Sequence, residues 1–593
     1  EDAGGNIWVG TATRGAFKLT RRGFTLYETE EKQPYDGITS IFAGEAPHEI
    51  FATSSDFDLL RFDGEKFSKI ELRDAKNRSW SRNQLDLRSR VDGDWWIPSA
   101  YGLVRYAAVE NFEDLNRARP KKIYTTADGM PSRAVFNLFE DSRGDIWFSL
   151  IDGGLDRLMR WERASEKLYT YTTADGLPDT SAPTAFAEDR EGNVWLATNK
   201  GLFKYKDGKE IAHYTIADGL PHNEVITVHE DRNGNIRAGT FDGLAQLKDG
   251  GFINFNAVEN SPKGYVRYIY EDAEGVLWFG TYGDGLVRLR DGNFFNYRVE
   301  HGLFNNGVFA ILEDNQGNFW MSSNRGIHRV SKQELNDFAD GRIPKLNSVS
   351  FDESDGMANV ECNGGRLPSA IKTRDGKFWF PTMGGVAIVD PEAETVNLNP
   401  PPTVIEEVSI DRKSIEKLQS EIEMKPDQSS LEIRYTGLSL IKSNQITFRY
   451  KLEGFEENWV EAGTTRTASY SYLPAEDYTF NVIAANANGV WNTTGASVKI
   501  IVHPYFYQRW WFLTLAALAV GLIGWLIYHN RVSQLKRIAD AKSEFTRRLI
   551  ESQEAERKRI ASELHDGLGQ SLAIISNRAM MGKNKNTEPE TVL

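Results

Sequence analysis

Short apolar runs recur along the first 398 residues of this 593-residue chain, and each is followed by a glycine turn and a second strand-like run. In the second strand-like run of one repeat, Leu202 and Lys204 alternate with Gly201, Phe203 and Tyr205, as the residues of a half-buried strand do. A D-x-x-G-[ND] phrase precedes the apolar runs; its Asp accepts backbone hydrogen bonds and its Gly supplies positive φ. The pattern predicts many short strands joined by tight turns.

The phrase returns in register, which predicts a repeat architecture. Aligned on its aromatic position, the sequence gives seven tryptophan anchors and two degenerate copies, about 41 to 59 residues apart: Trp8, Trp96, Trp147, Trp195, Trp278, Trp320 and Trp379, with Phe51 and Arg237. This period suits one four-stranded propeller blade. Because a blade cannot bury both of its faces alone, neighbouring blades must stack around an axis.

The linking phrases YTTADGMP at Tyr124, YTTADGLPD at Tyr171 and YTIADGLPHNE at Tyr214 complete the pattern. With them, residues 1–398 resemble two-component regulator propeller repeats, and the resemblance implies an extracytoplasmic sensing propeller, often of seven blades and often in tandem pairs. Nine anchors exceed the blade number of ordinary propellers. We therefore expect residues 1–75 to be the last two blades of an upstream propeller and residues 76–399 to be a seven-bladed sensor propeller. A single ring of eight or nine blades is the alternative.

The repeated Trp, Asp and Gly residues are interpreted as blade core and turns. In the regulator propeller family the ligand face is built by residues that differ between blades, so one sequence does not reveal it, and neither does it reveal the ligand. The loop positions that we consider are Trp80, Arg82, Trp161, His222 and Tyr282.

Residues 400–503 are predicted to form an immunoglobulin-like β-sandwich. They begin with a proline run, and farther on Tyr478, Phe480 and Val482 alternate with polar residues. The stretches RYKLEGFEENW, ASYSYLPAEDYTF and NANGVWN resemble the three-tyrosine (Y_Y_Y) domain that follows regulator propellers in sensor kinases. Such a domain is either a rigid coupler from sensor to membrane or a plain spacer, and the sequence leaves both open.

Residues 504–529 are predicted to hold a transmembrane helix. The stretch Trp510–Tyr528 carries no charge and, at about 1.5 Å per residue, approaches the hydrocarbon thickness of about 30 Å. Lys and Arg are concentrated after it, at Arg531, Lys536, Arg537, Lys542, Arg547 and Arg548, against Lys499 and Arg509 before it. The positive-inside rule then places residues 1–509 outside a bacterial inner membrane and residues 529–593 in the cytoplasm.

The chain after the span is rich in helix formers, and we expect a signalling helix with a short coiled-coil-like seam over residues 530–555. Next, EAERKRIASELHDGLGQSLAII resembles the phosphoacceptor helix of sensor histidine kinases of the H-D-x-x-x-Q type. Residues 556–593 are therefore expected to begin a dimerisation and phosphoacceptor domain. Ser562 stands where Arg or Lys is more common in this family.

The resemblance gives three residues a role. His565 is the phosphoacceptor, and a neutral imidazole is a suitable nucleophile near neutral pH. Asp566 is the general base that accepts the proton of the other ring nitrogen. Gln570, one turn along the same face, orients the water that dephosphorylates the partner regulator. ATP and Mg²⁺ are expected to bind a downstream domain beyond Leu593.

These features predict a mainly β protein: β-propeller blades followed by an immunoglobulin-like β-sandwich, a single transmembrane helix and a cytoplasmic dimerisation helix. We expect a homodimeric sensor histidine kinase that senses an extracytoplasmic ligand and passes phosphate to a response-regulator Asp. The net charge of −14 argues against direct nucleic-acid binding, and the single cysteine, Cys362, excludes a disulfide framework and a cysteine-rich metal site. The alternative is a membrane-anchored extracytoplasmic binding protein or propeller enzyme with a vestigial cytoplasmic tail.

Overall fold

The computed structural model describes residues 1–2, 5–13, 15–19, 23–25, 38–44, 49–54, 58–70, 87–99, 101–150, 157–178, 183–364, 368–394, 396–415 and 420–581. The chain forms two compact units. The first comprises Glu1–Ile422, Ser430–Ser471 and Tyr478–Lys499, and the second comprises Glu423–Ser429, Tyr472–Asp477 and Ile500–Leu593.

The first unit begins with a hairpin and continues as a series of small antiparallel sheets, here called blades. The hairpin is β1 (Ile7–Thr11) with β2 (Gly15–Leu19). Blade 1 is β3 (Ile38–Ala43), β4 (Ile50–Ser54), β5 (Leu59–Phe62) and β6 (Phe67–Ile70). Blade 2 is β7 (Leu87–Arg88), β8 (Trp95–Ser99), β9 (Gly102–Tyr106) and β10 (Lys122–Tyr124). Blade 3 is β11 (Val135–Glu140), β12 (Ile146–Leu150), β13 (Arg157–Glu162) and β14 (Lys167–Tyr171).

The next blades follow the same strand order. Blade 4 is β15 (Pro183–Glu188), β16 (Val194–Thr198), β17 (Gly201–Lys206) and β18 (Lys209–Tyr214). Blade 5 is β19 (Val225–Glu230), β20 (Ile236–Thr240), β21 (Gly243–Lys248) and β22 (Gly251–Asn254). Blade 6 is β23 (Val266–Glu271), β24 (Leu277–Thr281), β25 (Leu286–Arg290) and β26 (Asn293–Tyr297). Blade 7 is β27 (Ala310–Glu313), β28 (Asn318–Ser323), β29 (Gly326–Ser331) and β30 (Val349–Phe351), with helix α1 (Lys332–Ala339) before its last strand. Blade 8 is β31 (Ile371–Lys372), β32 (Phe378–Thr382) and β33 (Gly385–Val389).

The repeated D-x-x-G phrase folds as one hydrogen-bonded turn that ends on the anchor residue. In blade 3, Asp141 Oδ1 accepts hydrogen bonds from the backbone N–H groups of Arg143 at 3.0 Å and Asp145 at 2.9 Å. Its other oxygen accepts from the indole N–H of Trp147 at 2.9 Å. Gly144 adopts φ 80°, a conformation that favours glycine. One carboxylate therefore fixes both the turn and the buried ring, which explains why the phrase is repeated whole.

The eight blades form one closed ring. Each blade shares a cluster of buried side chains with the next, from blade 1 to blade 8. Blade 8 then packs on blade 1, where the rings of Trp379 and Phe62 lie 5.0 Å apart in a common cluster. The fourth position of blade 8 is taken by Thr25, whose backbone N–H donates to the Ile388 carbonyl at 2.8 Å.

The expected division into an upstream pair of blades (residues 1–75) and a seven-bladed propeller (residues 76–399) does not hold for the described sheets. Blade 1, anchored by Phe51, lies inside the ring, as in the alternative of a single eight-bladed propeller. Trp8 lies in the hairpin, where β1 and β2 are largely exposed. Anchor spacing counts repeats, but it does not show which sheet a distant segment such as Thr25 completes.

Two further sheets form the sandwich after the propeller. One sheet contains β34 (Thr403–Ile410), β35 (Lys413–Ser414), β37 (Ser430–Gly437) and β40 (Thr467–Ser471). The other contains β36 (Glu421–Met424), β38 (Thr447–Glu453), β39 (Val460–Gly463), β41 (Asp477–Ala485) and β42 (Ala496–Val502). Aromatic rings fill the space between them, and Tyr435 lies 5.1 Å from Phe448 and 6.1 Å from Phe480.

Within the first unit, the sandwich is bonded to blade 7 by a buried lysine. Lys442 Nζ donates to the Ser350 carbonyl at 2.6 Å and to Asp355 Oδ2 at 2.7 Å, and it lies 4.0 Å from the centre of the Phe351 ring. Gln445 adds hydrogen bonds to both backbone groups of Ser350. A buried charge with this many partners holds a fixed geometry, because losing one partner leaves the other unpaired. The contact fixes this part of the sandwich to blade 7.

Helix α2 (Trp510–Met581) in the second unit is a single helix of 72 residues. It contains no proline, the residue that most sharply breaks helices. Its first part is the uncharged stretch whose large side chains are exposed, among them Trp510, Leu518 and Tyr528. By length and composition α2 can cross a membrane.

Candidate functional sites

The phosphoacceptor residues predicted from sequence lie together on the distal part of α2. The His565 and Asp566 side chains are 90% and 76% exposed, and His565 Nδ1 lies 3.9 Å from Asp566 Oδ1. Gln570 is also exposed and follows Asp566 by one helical turn. The imidazole is therefore open to an incoming reactant, with a carboxylate beside one ring nitrogen.

The helix surface around His565 has a charged part and an apolar part. Arg559 forms ion pairs one turn apart with Glu556 and with Glu563, the latter at 2.7 Å. The leucines Leu564, Leu568 and Leu572 repeat every four residues and are more than half exposed in this single chain. Leucines at this spacing form one apolar stripe, which is available to pack against another helix.

Trp161, one of the loop positions considered above, belongs to the propeller core. It is fully buried and packs 4.7 Å from Trp96. The guanidinium carbon of Arg105 lies 4.6 Å from its ring, and Arg105 in turn donates to Asp94 at 2.6 Å. These contacts assign Trp161 a structural role. Trp80 and Arg82 lie outside the described residues.

The first strand of a blade begins with a β-bulge in at least four blades. The pairing skips Phe136 in blade 3, Thr184 in blade 4, Ile226 in blade 5 and Arg267 in blade 6. First strands of neighbouring blades touch: Thr184 Oγ1 donates to the Val225 carbonyl at 2.7 Å. The bulges therefore lie at one end of the inner wall of the ring. Bulges commonly re-aim side chains at functional sites, and here the four residues differ.

The hairpin that joins the second and third strands of a blade lies at the same end as the bulge. The backbone N–H of Tyr282 donates to the Tyr265 carbonyl at 2.9 Å, and that of Phe241 donates to the Glu224 carbonyl at 2.9 Å. This end of the ring, formed by bulges and hairpins, is called the hairpin face below. The bulge residues at the hairpin face differ from blade to blade.

Aromatic rings form a continuous row along blades 5 to 7 of the hairpin face. The ring centres are 5.5 Å apart from His222 to Phe241, 5.6 Å from Phe241 to Tyr265, and 6.2 Å from Tyr265 to Tyr282. Tyr282 then stacks on Phe309 at 5.6 Å with an interplanar angle of 9°. The row, His222–Phe241–Tyr265–Tyr282–Phe309, is called the aromatic row.

Two considered loop positions, His222 and Tyr282, thus lie in the aromatic row. Sequence reasoning missed Phe241, Tyr265, Arg267 and Phe309. A signal existed for Phe241 and Tyr282, since both occupy the same place after the Thr that ends the second strand, where blade 4 has Asn199. No signal marked Arg267, because a bulge is visible only once the strands are paired.

Three family models match the chain. The two component regulator propeller model matches residues 176–200, 260–283 and 302–325, which lie in blades 4, 6 and 7. The Y_Y_Y domain model matches residues 439–503 of the sandwich. The histidine kinase model matches residues 556–592, which include His565, Asp566 and Gln570.

The chain is also similar to whole proteins. Histidine kinase P4 from Formosa agariphila is 27% identical over 230 residues, which cover 36% of this chain and 16% of that protein's length. The extracellular domain of a putative hybrid two component system from B. thetaiotaomicron matches with a TM-score of 0.49 and 21% identity, covering 85% of this chain and 67% of the other. A second such domain from the same organism gives a TM-score of 0.37 and 17% identity, covering 85% and 68%. At these scores the two structures add nothing to the architecture described above.

Regulator propeller repeats, a Y_Y_Y domain and a histidine-kinase segment follow one another in this chain. Helix α2, which is long and apolar enough to cross a membrane, begins after the Y_Y_Y match and continues into the residues matched by the histidine kinase model.

Proposed function

We propose that this chain is the sensing and phosphoacceptor part of a transmembrane sensor histidine kinase. The observation that carries the proposal is α2, because one unbroken helix holds the uncharged stretch Trp510–Tyr528 and exposes His565 within the segment matched by the histidine kinase model. An extracytoplasmic ligand would bind the propeller, and the sandwich and α2 would carry its effect across the bacterial inner membrane to His565.

The chemistry assigned to His565 is nucleophilic attack by Nε2 on the γ-phosphorus of ATP. A nitrogen–phosphorus bond forms as the bond to the bridging oxygen breaks and ADP leaves. The proton on Nδ1 passes to Asp566, whose Oδ1 lies 3.9 Å from that nitrogen in the free helix. Both side chains are exposed, so a rotation about their side-chain bonds closes this distance. A downstream domain would hold ATP with the Mg²⁺ that neutralises its charge.

The partners follow from the same helix. Leu564, Leu568 and Leu572 would pack against a second copy of the chain, giving a homodimer with His565 at the edge of a helical bundle. The phosphoryl group would then pass from His565 to an Asp of a response regulator. Gln570 would position the water that later hydrolyses the regulator's phosphate.

The test uses the intact natural protein in lipid nanodiscs with ATP labelled at the γ-phosphate. Wild type is expected to take up an acid-labile, base-stable label, and His565→Ala is expected to take up none. His529→Ala is the matched control, since His529 is an exposed histidine of the same helix, and it should label normally. Asp566→Asn should slow labelling, whereas Gln570→Ala should leave labelling intact and slow regulator dephosphorylation.

Undiminished label in His565→Ala protein would contradict the proposal. So would a protease-protection experiment that places the propeller and residue 565 on the same side of the nanodisc. Either result would favour the alternative of an anchored extracytoplasmic binding protein or enzyme.

A further inference from the structure

Arg267 occupies the bulge of blade 6, in the middle of the hairpin face. Its guanidinium carbon lies 5.1 Å from the ring centre of Tyr265, 5.9 Å from that of Tyr282 and 5.3 Å from that of Phe309. The charged group is therefore enclosed on three sides by rings of the aromatic row. Aromatic faces attract a cation, but they supply none of the hydrogen-bond acceptors that a guanidinium normally finds.

Two more deeply buried arginines of the propeller, Arg105 and Arg160, have a carboxylate partner, whereas Arg329, which lies over the Trp320 ring, forms no ion pair among the described residues. Arg105 donates to Asp94 at 2.6 Å and Arg160 donates to Glu162 at 2.8 Å. Among the described residues, none forms an ion pair or a side-chain hydrogen bond with Arg267. Burial lowers the pKa of Arg267, and the two tyrosines oppose this shift. An arginine stays charged even so. Its guanidinium therefore keeps five N–H donors that are not bonded to any side chain among the described residues.

The surroundings of Arg267 limit the ligand's charge. Nearby, the negative charge of Glu224 adds to the rise that burial causes in the pKa of Tyr265. The single guanidinium of Arg267 matches one carboxylate in charge. A guanidinium also binds a carboxylate with two parallel hydrogen bonds.

The exposed faces of the aromatic row indicate what the uncharged part of the ligand should be. The side chains of Phe241 and Tyr282 are 50% and 52% exposed, and they flank Tyr265 on the two sides. Exposed, fixed aromatic faces stack against flat apolar surfaces such as a ring. Tyr282 is held by stacking on Phe309 and by a hydrogen bond from Asn324 at 3.3 Å.

We propose that the hairpin face binds a small organic monoanion, a carboxylate attached to a ring, with the carboxylate on Arg267 and the ring on Tyr282 or Phe241. This inference rests on the proposed function, because it names the chemical class of the ligand that the propeller senses. The carboxylate would satisfy the donors that the protein leaves open, and the ring would cover the exposed aromatic faces.

The test measures calorimetric binding to the intact protein in nanodiscs. The probes are benzoate and cyclohexanecarboxylate, each compared with its uncharged amide. Both anions are expected to bind, and the amides to bind at least tenfold more weakly. Arg267→Gln should weaken the anions about 10- to 100-fold, the range for a lost hydrogen bond to a charged group. Tyr282→Ala should weaken all ring probes about 3- to 10-fold.

The matched control is Arg325→Gln. Arg325 also lies over a ring, 5.4 Å from the centre of Phe304, and follows the second strand of the next blade, but it is exposed. This variant should bind all probes like wild type. Thermal unfolding of each variant checks that the propeller is folded, and Arg267→Lys, which keeps the charge without the planar fork, should fall between wild type and Arg267→Gln.

No binding of either anion to wild type would overturn the inference, and so would equal binding of anion and amide or an unchanged affinity in Arg267→Gln. Labelling of His565 separates this failure from that of the proposed function. Label without anion binding removes the ligand class alone. Anion binding that depends on Arg267, without label, leaves the ligand class in place and removes the kinase.

Discussion

Blades 5 and 6 differ at the residue on which each repeat is anchored. In blade 6 the indole N–H of Trp278 donates to Asp272 Oδ2 at 3.0 Å, and in blade 5 Nε of Arg237 donates to Asp231 Oδ2 at 3.0 Å. The bond to the turn is the same in both blades, although one donor is an indole and the other a guanidinium. In blade 5 an arginine therefore makes the hydrogen bond to the turn that tryptophan makes in blade 6.

The remainder of the side chain separates the two blades. Trp278 is fully buried and its ring lies 4.8 Å from that of Phe319 in the next blade. Arg237 is 6% exposed, and its buried Nη1 has no hydrogen-bond partner among the described residues. Beside Arg237 is a cavity of about 610 Å³ whose apolar lining comes from Phe255, Leu277, Leu289 and Phe294. Tryptophan thus contributes both a bond and a filled volume, whereas arginine contributes the bond and leaves space.

The largest expected effect comes from truncating the two anchors. Trp278→Ala should lower the free energy of unfolding by about 4 kcal/mol, because it removes a fully packed ring. Arg237→Ala should cost about 2 kcal/mol, the scale of a hydrogen bond to a charged group. Chemical denaturation followed by circular dichroism measures both. Equal losses would break the comparison, since they would show that the volume of the anchor does not matter.

A second test concerns blade 7, which is anchored by a tryptophan but contains a buried histidine that should lower its stability at low pH. In blade 7, His328 is completely buried, neither ring nitrogen has a hydrogen-bond partner among the described residues, and burial lowers its pKa to about 3. Below pH 6.5 the unfolded chain takes up a proton that the folded chain refuses, so stability falls with falling pH. The loss is about 2 kcal/mol at pH 5.

We expect His328→Leu to remove this dependence between pH 6.5 and pH 5. Unfolding curves over this range measure the effect. His503→Leu, which changes a histidine whose side chain is 37% exposed, is the control and should leave the slope of wild type. An unchanged slope in His328→Leu would show that other groups cause the acid sensitivity.

The smallest expected effect comes from converting blade 5 into a regular blade. Arg237→Trp keeps an N–H donor for Asp231, fills part of the cavity and removes the unpaired Nη1, so it should raise the free energy of unfolding by about 1 kcal/mol. Arg237→Leu is the matched control, because it supplies apolar volume without a donor and should be destabilising. A stabilising Arg237→Leu would mean that volume, and not the bond to Asp231, decides the anchor.

The repeated parts of the fold were predictable, because the residues that stabilise each turn and its anchor are close together in the sequence. The Asp–Gly turn and its anchor lie close together in the sequence, and Arg237 occupies an anchor position, where its N–H donates to Asp231. The sandwich and α2 were visible from alternation and from an uncharged run. The blade number was not predictable, since ring closure depends on Thr25 meeting Ile388 far along the chain.

The two candidate sites differ in the same way. His565, Asp566 and Gln570 lie within one and a half turns of one helix, so their spacing alone places them together. Arg267 and the rings around it come from two neighbouring blades, and their meeting depends on a bulge and on the packing of the two sheets. A local motif can be found by reading along the chain, whereas a site built across repeats requires the assembled ring.

In the proposed sensor, the length of α2 limits how a change outside the membrane could reach His565. From Trp510 to His565 the helix advances about 80 Å at 1.5 Å per residue, with no proline to absorb a twist. An axial turn of roughly 100° at the outer end, the angle between consecutive residues, would change which side of the helix presents the imidazole. A continuous helix without proline can carry such a turn along its axis, and in the proposed sensor this turn would reach His565.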